Sequence, residues 1–149
     1  MRRITPILLT AILILSACSA ATGVDASNAW IRPTGQGDNG AVYFLLENHS
    51  VGTDELTGIS SDAAEAVEIH ESQMKNDVMQ MRQVMSVSIE AKTSLEFSPG
   101  GYHVMLVGLK NALNIGDEIQ LTLHFKRAGD VLVTVPVQDG PATDPKLEY

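Results

Sequence analysis

The side chains of this sequence with the most distinctive chemistry are a group of methionines and two of its four histidines. Apart from the initiator, the methionines all lie within one short segment: Met74, Met79, Met81, Met85 and Met105. His70 precedes this segment and His103 lies inside it. Thioether sulfur is a soft, neutral ligand that binds Cu(I) well, whereas zinc sites usually recruit thiolates and calcium sites need oxygen ligands. The combination indicates a Cu(I) site with two nitrogens and one or two sulfurs, and the alternative is that the flexible methionines only fill the core.

Period-two spacing would bring some of these donors onto the same side of a strand. Residues i and i+2 of a strand share a face and lie about 6.6 Å apart, and this spacing relates His103 to Met105. The same spacing relates Met79 to Met81. His70 ends a strand-like run before a turn-like segment, and His103 follows a glycine turn. We therefore expect a site on the rim of the fold, open to solvent.

The first residues predict export rather than a folded element. Arg2 and Arg3 precede an apolar run that is shorter than the roughly 20 residues of a membrane span. The letters LSAC, which end at Cys18, resemble a bacterial lipobox, in which the cysteine is diacylated and becomes the new N-terminus. We predict a lipoprotein signal peptide at 1–17, lipidation of Cys18 and a tether at 18–28. A plain secretory signal is the alternative.

The composition and the missing motifs disfavour several classes of function. Cys18 is the only cysteine, so the processed domain has no free thiol for a disulfide, a nucleophile or a blue-copper centre. The sequence contains no G-x-S-x-G motif of a serine hydrolase and no G-x-x-x-x-G-K-[ST] phosphate loop. A formal charge of −8 disfavours nucleic acid as a partner, because binding to phosphates needs a basic surface. We therefore expect neither an enzyme nor a nucleic-acid-binding protein.

Short strand-like runs separated by turn signals predict an all-β chain. In the two clearest runs apolar residues alternate with polar ones: Ile119, Leu121, Leu123 and Phe125, then Val131, Val133, Val135 and Val137. The segment 126–130 between them predicts a hairpin turn, and Pro136 suggests that the second run is an edge strand or that a strand ends there. Repeated short strands over 29–138 are typical of an antiparallel β-sandwich or barrel with Greek-key connections. Residues 139–149 are expected to form a flexible tail.

The histidines and methionines also resemble the signature of the PCuAC family of periplasmic copper chaperones, which is a His, ten residues, a Met, twenty-one residues and His-x-Met. Here His70 is followed after ten residues by Met81, and after twenty-one more by His103, with Met105 completing the pattern. Similar segments surround these positions, including AWIRPT, YFLLENHS and PGGYHVMLVGLK. The resemblance implies a cupredoxin-like antiparallel β-sandwich that binds one Cu(I) ion through these four side chains.

The resemblance further implies a destination for the metal, which is the CuA centre of cytochrome oxidase subunit II or a similar periplasmic acceptor. Many family members carry a tail rich in His and Met, which residues 138–149 lack, so no Cu(II) role is expected. A lipid on Cys18 would hold the protein at a bacterial membrane facing the periplasm, and Ser19 slightly favours the outer membrane. The alternatives are a protein for copper buffering or tolerance and a metal-free β-sandwich lipoprotein that acts as an interaction module.

The remaining candidates have weaker signals. Met74 and Met79 would supply accessory sulfurs or an entry path for copper, with packing as the alternative. Met85 is expected in the core. Trp30 is expected to anchor the core, and the alternative is an exposed ring near the site that shields Cu(I). His124 alternates outward on its strand and is expected to have no partner.

Overall fold

The computed structural model describes residues 23–141, and within them the chain forms ten β-strands and no helix. The strands, in chain order, are β1 (Val24–Ile31), β2 (Gly40–Asn48), β3 (Asp54–Ser60), β4 (Ala64–Lys75), β5 (Val78–Val84), β6 (Val87–Ile89), β7 (Ser94–Phe97), β8 (Tyr102–Leu109), β9 (Glu118–Phe125) and β10 (Gly129–Pro136). Over 23–141 there is accordingly no helical segment with the length and apolar character of a membrane span.

The strands form two sheets that pack face to face as a β-sandwich. One sheet has six strands in the order β1-β2-β7-β8-β4-β5, and the other has four in the order β10-β9-β3-β6. Paired strands are antiparallel except for one parallel pairing between β7 and β8. Strands that follow one another in sequence often lie in different sheets, which is the pattern of a Greek-key sandwich. The predicted fold class is confirmed.

Alternation along the strands places one face of each sheet in the core. Every second residue of β2 is buried, and on this inward face Phe44 stacks on Phe97 with ring centroids 4.5 Å apart. The predicted hairpin between β9 and β10 is present, with Leu123 opposite Val131. Pro136 lies in β10, which is an edge strand as predicted. The outward face of the six-stranded sheet is therefore free to carry side chains that the core does not need.

The N-terminal boundary of the domain differs from the prediction. Residues 24–28, expected to belong to the tether, form the first part of β1, and Val24 is buried in the core. A β-bulge between Ser27 and Trp30 shifts the register against β2, and Asn28 within it has a positive φ of 53°. The polar composition of the segment suggested a tether because β1 is an edge strand, where outward positions favour polar residues.

Two predicted terminal segments lie outside the described residues. They are the signal peptide at 1–17 together with Cys18, and residues 142–149 of the predicted tail. Residues 139–141 of that tail are described and form no strand. The lipid anchor and its position therefore remain predictions from the sequence.

Candidate metal centre

His70 and His103 face each other on the outward surface of the six-stranded sheet. The strands β4 and β8 are neighbours, and their register places His70 directly opposite His103. The adjacent pair, Ile69 and Val104, points inward and is buried in the core. The two imidazole rings have centroids 5.6 Å apart and an angle of 68° between their planes. Strand pairing thus brings together two rings that are distant in the sequence.

Hydrogen bonds fix the position of the proton on each ring. Nε2 of His70 lies 2.7 Å from Oε2 of Glu68, and Nδ1 of His103 lies 3.2 Å from the carbonyl oxygen of Gly101. An ionised carboxylate and a carbonyl can only accept, so both of these ring nitrogens carry the hydrogen. In a neutral imidazole the other nitrogen then has a free lone pair. The lone pairs lie on Nδ1 of His70 and on Nε2 of His103.

Both lone pairs are buried without a hydrogen-bond partner. Among residues 23–141, Nδ1 of His70 and Nε2 of His103 are the buried side-chain polar atoms that lack one. Leaving such an atom unpaired costs about 1–3 kcal/mol, so each one in a native fold calls for an explanation, such as a bound ion or water. A carboxylate or carbonyl on the far nitrogen is also the arrangement that orients histidines bound to metals. The pair is therefore suited to donate two nitrogens to one ion.

The histidine pair lies within the sheet surface, and the prediction of a solvent-open rim was wrong. His103 is 4% exposed. Burial lowers the pKa of His103 below its usual value, the hydrogen bond with Gly101 opposes this, and the nearby His70 adds to the lowering. His70 lies in the middle of β4, which continues to Lys75, because the expected turn is extended strand paired with β5. The lowered pKa favours the neutral form of His103, in which one ring nitrogen has a free lone pair.

Met105 and Met81 lie on the same surface, on opposite sides of the histidine pair. Met105 is two residues beyond His103 on β8, so the two side chains share a face. Met81 on β5 lies opposite Ser72, which makes it a diagonal neighbour of His70. Diagonal neighbours on one face are about 7–8 Å apart and remain within reach of long side chains. The register therefore places the four predicted ligands on one surface.

The methionines of the β4–β5 hairpin are exposed. The exposed fractions are 65% for Met74, 51% for Met79, 54% for Met81 and 83% for Met85. The core position predicted for Met85 was wrong, and packing does not account for Met74 or Met79. The reason is that β5 is the last strand of its sheet and residues 78–83 are exposed on both faces, so no second layer covers this end of the sheet, and Met85 lies just beyond β5.

Two aromatic rings continue the outward surface from His103 towards β1. The ring of Tyr43 has its centroid 6.4 Å from that of His103, and the ring of Trp30 lies 4.8 Å from that of Tyr43. Trp30 is buried, as predicted, but it pairs with Tyr43 on the outward face and is not part of the cluster between the sheets. The guanidinium carbon of Arg32 is 5.8 Å from the ring centroid of Trp30. This aromatic layer shields one side of the histidine pair from water.

His124 lies on the four-stranded sheet, away from the histidine pair, and has partners that were not predicted. Its Nδ1 is 2.7 Å from Oδ1 of Asp130, and its Nε2 is 2.9 Å from Oγ of Ser60. Asp130 is its cross-strand neighbour in the β9–β10 hairpin, while Ser60 is contributed by β3. The absence of a partner was predicted because the sequence does not show which strands lie beside β9, and strand pairing is what brings both partners to His124.

Two members of the site were missed by the sequence analysis. The carboxylate of Glu68 and the carbonyl of Gly101 orient the two rings. The signal for Glu68 was present, because residues i and i+2 of a strand share a face and Glu68 is two residues before His70. The role of Gly101 depends on how the turn at 98–101 places its carbonyl, and residue types do not reveal that.

Comparison with known proteins identifies the family of this chain. A family model described as "Putative lipoprotein LpqE-like" matches residues 24–137. The chain belongs to the LpqE-like family. It is 38% identical over 120 residues to "Putative lipoprotein Lxx21020" of Leifsonia xyli subsp. xyli, covering 80% of this chain and 72% of that protein. It is 36% identical over 118 residues to "Uncharacterized protein RP573" of Rickettsia prowazekii, covering 75% of this chain and 65% of that protein.

This LpqE-like chain shares its fold with solved PCuAC domains. The copper-bound PCuAC domain from PmoF2 superimposes with a TM-score of 0.66 at 24% identity, covering 80% of this chain and 96% of that domain. The solution structure of apo-DR1885 from Deinococcus radiodurans gives a TM-score of 0.61 at 26% identity, covering 94% and 95%. The predicted resemblance to the PCuAC family and the cupredoxin-like sandwich are confirmed. None of these four names describes an enzyme.

Proposed function

We propose that this LpqE-like protein carries one Cu(I) ion, held by His70, Met81, His103 and Met105. The observation that supports this most directly is the pair of buried imidazole nitrogens without partners, one on each histidine. A carboxylate and a backbone carbonyl hold the ring protons on the opposite nitrogens. Ligands must be deprotonated to bind a metal, and in the neutral imidazole tautomers that these two contacts favour, the free nitrogens carry no proton. Copper would therefore enter without displacing a proton.

The available donors favour Cu(I) over other ions. Within 23–141 no group of three or more His, Cys, Asp or Glu side chains could hold a metal. An ion at the histidine pair would need sulfur ligands, which Met81 and Met105 offer on the same face. Thioethers favour Cu(I) and bind harder divalent ions poorly. Two solved structures of this fold are described as a copper-bound PmoF2 domain and as CuI-DR1885, which makes copper the first metal to test.

Glu68 gives an otherwise neutral ligand set a negative charge nearby. Two imidazoles and two thioethers leave the charge of Cu(I) uncompensated, and the Glu68 carboxylate lies 2.7 Å from the far nitrogen of His70. Charges separated by one ring attract strongly in a partly buried site. Glu68 would stabilise bound Cu(I) through His70 without being a ligand.

The difference in exposure across the site suits a carrier better than a store. His103 is buried beside the aromatic layer, whereas about half of Met81 is exposed. An incoming ligand from an acceptor would reach the sulfur side of the site before the histidines. The ion would pass by ligand exchange with no change of oxidation state.

The proposed location and acceptor rest on the sequence and on the family resemblance. A lipid on Cys18 would anchor the protein to a bacterial membrane, slightly more in keeping with the outer one, and the domain would face the periplasm. The acceptor would be subunit II of cytochrome oxidase, at its CuA centre, or a similar periplasmic copper protein.

Titration of residues 18–149 with Cu(I) against a chromophoric chelator tests the proposal. We expect one ion to bind with a dissociation constant below about 1 μM, or more than about 8 kcal/mol of binding free energy. Weaker binding would contradict the proposal. Incubation of the loaded protein with apo subunit II then separates a carrier from a buffer, because only a carrier would transfer the ion. A metal-free interaction module would bind no copper in either assay.

Replacing Glu68 tests its proposed effect on the histidine. We expect Glu68→Ala to weaken Cu(I) binding by about 10-fold or more, because groups that orient a ligating histidine are worth about 10–100-fold in metal affinity. Glu68→Gln, which still accepts the hydrogen bond but lacks the charge, should lose less. Glu118→Ala, at an exposed position on the other sheet, serves as the control in the same chelator competition. Equal affinities for Glu68→Ala and the control would show that the carboxylate does not act on copper.

A further inference from the structure

The β4–β5 hairpin places three methionines on one face, next to the histidine pair. Met74 lies directly opposite Met79, and Met81 is two residues beyond Met79 on the same strand. Side chains directly opposite each other have Cβ atoms about 4.5–5.5 Å apart, and i and i+2 neighbours are about 6.6 Å apart along the strand. Methionine has three rotatable bonds beyond its backbone, so the three sulfurs can converge on one ion.

Packing does not explain these three side chains. More than half of each is exposed to solvent, although methionine is an apolar residue that usually fills gaps in cores. The chain places sulfur at three positions of one exposed face where a polar residue would satisfy the fold. An edge strand normally carries charged side chains on such a face.

The surroundings of the three sulfurs are uncharged on their own face. Lys75 pairs with Val78 on the opposite face of the hairpin. Arg82 also lies on that opposite face, where it is paired with Glu71 at 2.6 Å. Among the paired residues from His70 to Met74 and from Met79 to Gln83, this face therefore has neither a carboxylate to attract hard divalent cations nor an ammonium group to repel Cu(I). Glu68 lies on the same face only beyond His70, so the three sulfurs retain the preference of thioethers for a soft ion.

No bulky side chain separates the three sulfurs from the histidines on the outward face of β4. His70, Ser72 and Met74 are successive residues on the outward face of β4. Ser72 has a small side chain, is itself buried, and donates its backbone N–H to the carbonyl of Gly101 at 3.0 Å. Met81 lies opposite Ser72, midway between the two groups of donors. It is thus the sulfur that can contact an ion in either position.

We propose that Met74, Met79 and Met81 form a second, exposed Cu(I) site through which copper enters and leaves the histidine site. The inference rests on the proposed function. Copper would first be held by three thioethers. The two free imidazole nitrogens would then replace Met74 and Met79 while Met81 stays bound. Cu(I) keeps its oxidation state, and no proton is released, since the incoming nitrogens carry lone pairs.

The test compares the rate of copper uptake with a matched control. Met74→Leu/Met79→Leu removes two sulfurs and retains apolar side chains of similar volume, and both positions are exposed. Met85→Leu is the control, because it changes an even more exposed methionine outside the paired region of the hairpin. We follow uptake from a Cu(I)–chelator complex by stopped-flow absorbance and expect it to slow by about tenfold in the double variant. This is the lower end of the 10–100-fold effect on metal affinity or activity that supporting groups have. Uptake by Met85→Leu should match the unmodified protein.

Release of copper should slow together with uptake, so the equilibrium affinity should change less than either rate. A second arm uses His70→Ala/His103→Ala, which should retain weak binding of one Cu(I) with only sulfur scatterers in X-ray absorption spectra. Adding Met74→Leu/Met79→Leu should abolish that binding. Unchanged uptake by the double methionine variant would overturn the inference while leaving the proposed function intact. Absence of Cu(I) binding by the unmodified protein would overturn both.

Discussion

Replacing His103 with alanine should lower the affinity for Cu(I) by at least about 100-fold, because a lost ligand costs more than the 10–100-fold attached to groups that only orient one. The substitution removes the more deeply buried of the two free nitrogens. It also removes the aromatic contact that links the site to Tyr43. The measurement is competition with a chromophoric Cu(I) chelator, with folding checked by circular dichroism.

His124→Ala is the matched control, because His124 lies on the outward face of the other sheet and is bound to Asp130. The affinity of the His124→Ala variant for Cu(I) should equal that of the unmodified protein. The unfolding free energy of apo His103→Ala should change little, since the loss of packing is offset by removal of an unpaired buried nitrogen worth about 1–3 kcal/mol. An affinity within a few-fold of the control would show that His103 is not a ligand.

Replacing Asp54 with alanine should instead lower the unfolding free energy and leave the Cu(I) affinity of the folded protein unchanged. Asp54 is buried, and its carboxylate accepts three backbone N–H groups, from Glu55 at 2.8 Å, Arg127 at 2.9 Å and Ala128 at 2.8 Å. Two of them fasten the β9–β10 turn to the start of β3. Hydrogen bonds to a charged group contribute about 1.5–3 kcal/mol each, and two of the three join segments distant in the chain, so we expect a loss of about 3–6 kcal/mol in unfolding free energy.

Urea denaturation of apo protein measures this loss, and Asp130→Ala provides the control. Asp130 is exposed, and its ion pair with His124 should contribute no more than about 1 kcal/mol. The Asp54→Ala protein that remains folded should bind Cu(I) with normal affinity, because Asp54 belongs to the four-stranded sheet. A loss no larger than that of the control would show that the three N–H groups find other acceptors.

Together the two substitutions separate function from stability. Nitrogens without partners lie on the outward face of one sheet, where they raise the energy of the apo protein. The carboxylate of Asp54, which accepts three hydrogen bonds, lies where the β9–β10 turn must be held against β3. The fold thus tolerates an unsatisfied pair at one place because the sandwich core, which extends through both sheets, is independent of it.

Much of the architecture could be predicted from local patterns. The alternation around Leu121 and Val133 predicted a hairpin that is present, since the side-chain period of a strand is a local property. The start of β1 was missed because an edge strand with polar outward residues resembles a tether in composition. The exposure of Met85 was missed because hydrophobicity alone does not reveal whether a second layer covers a strand.

The sequence by itself determined the kinds of donor available, two imidazoles at the family spacing and five thioethers with Cys18 as the only cysteine, and hence the kind of ion they suit. Only the tertiary structure decided that His70 lies opposite His103, that Glu68 and Gly101 hold the ring protons, and which nitrogens stay free. It also decided that the hairpin methionines are exposed on the face of the histidines. The physical reason is that donor chemistry belongs to each residue, whereas register, burial and hydrogen-bond partners depend on strands that are distant in the chain.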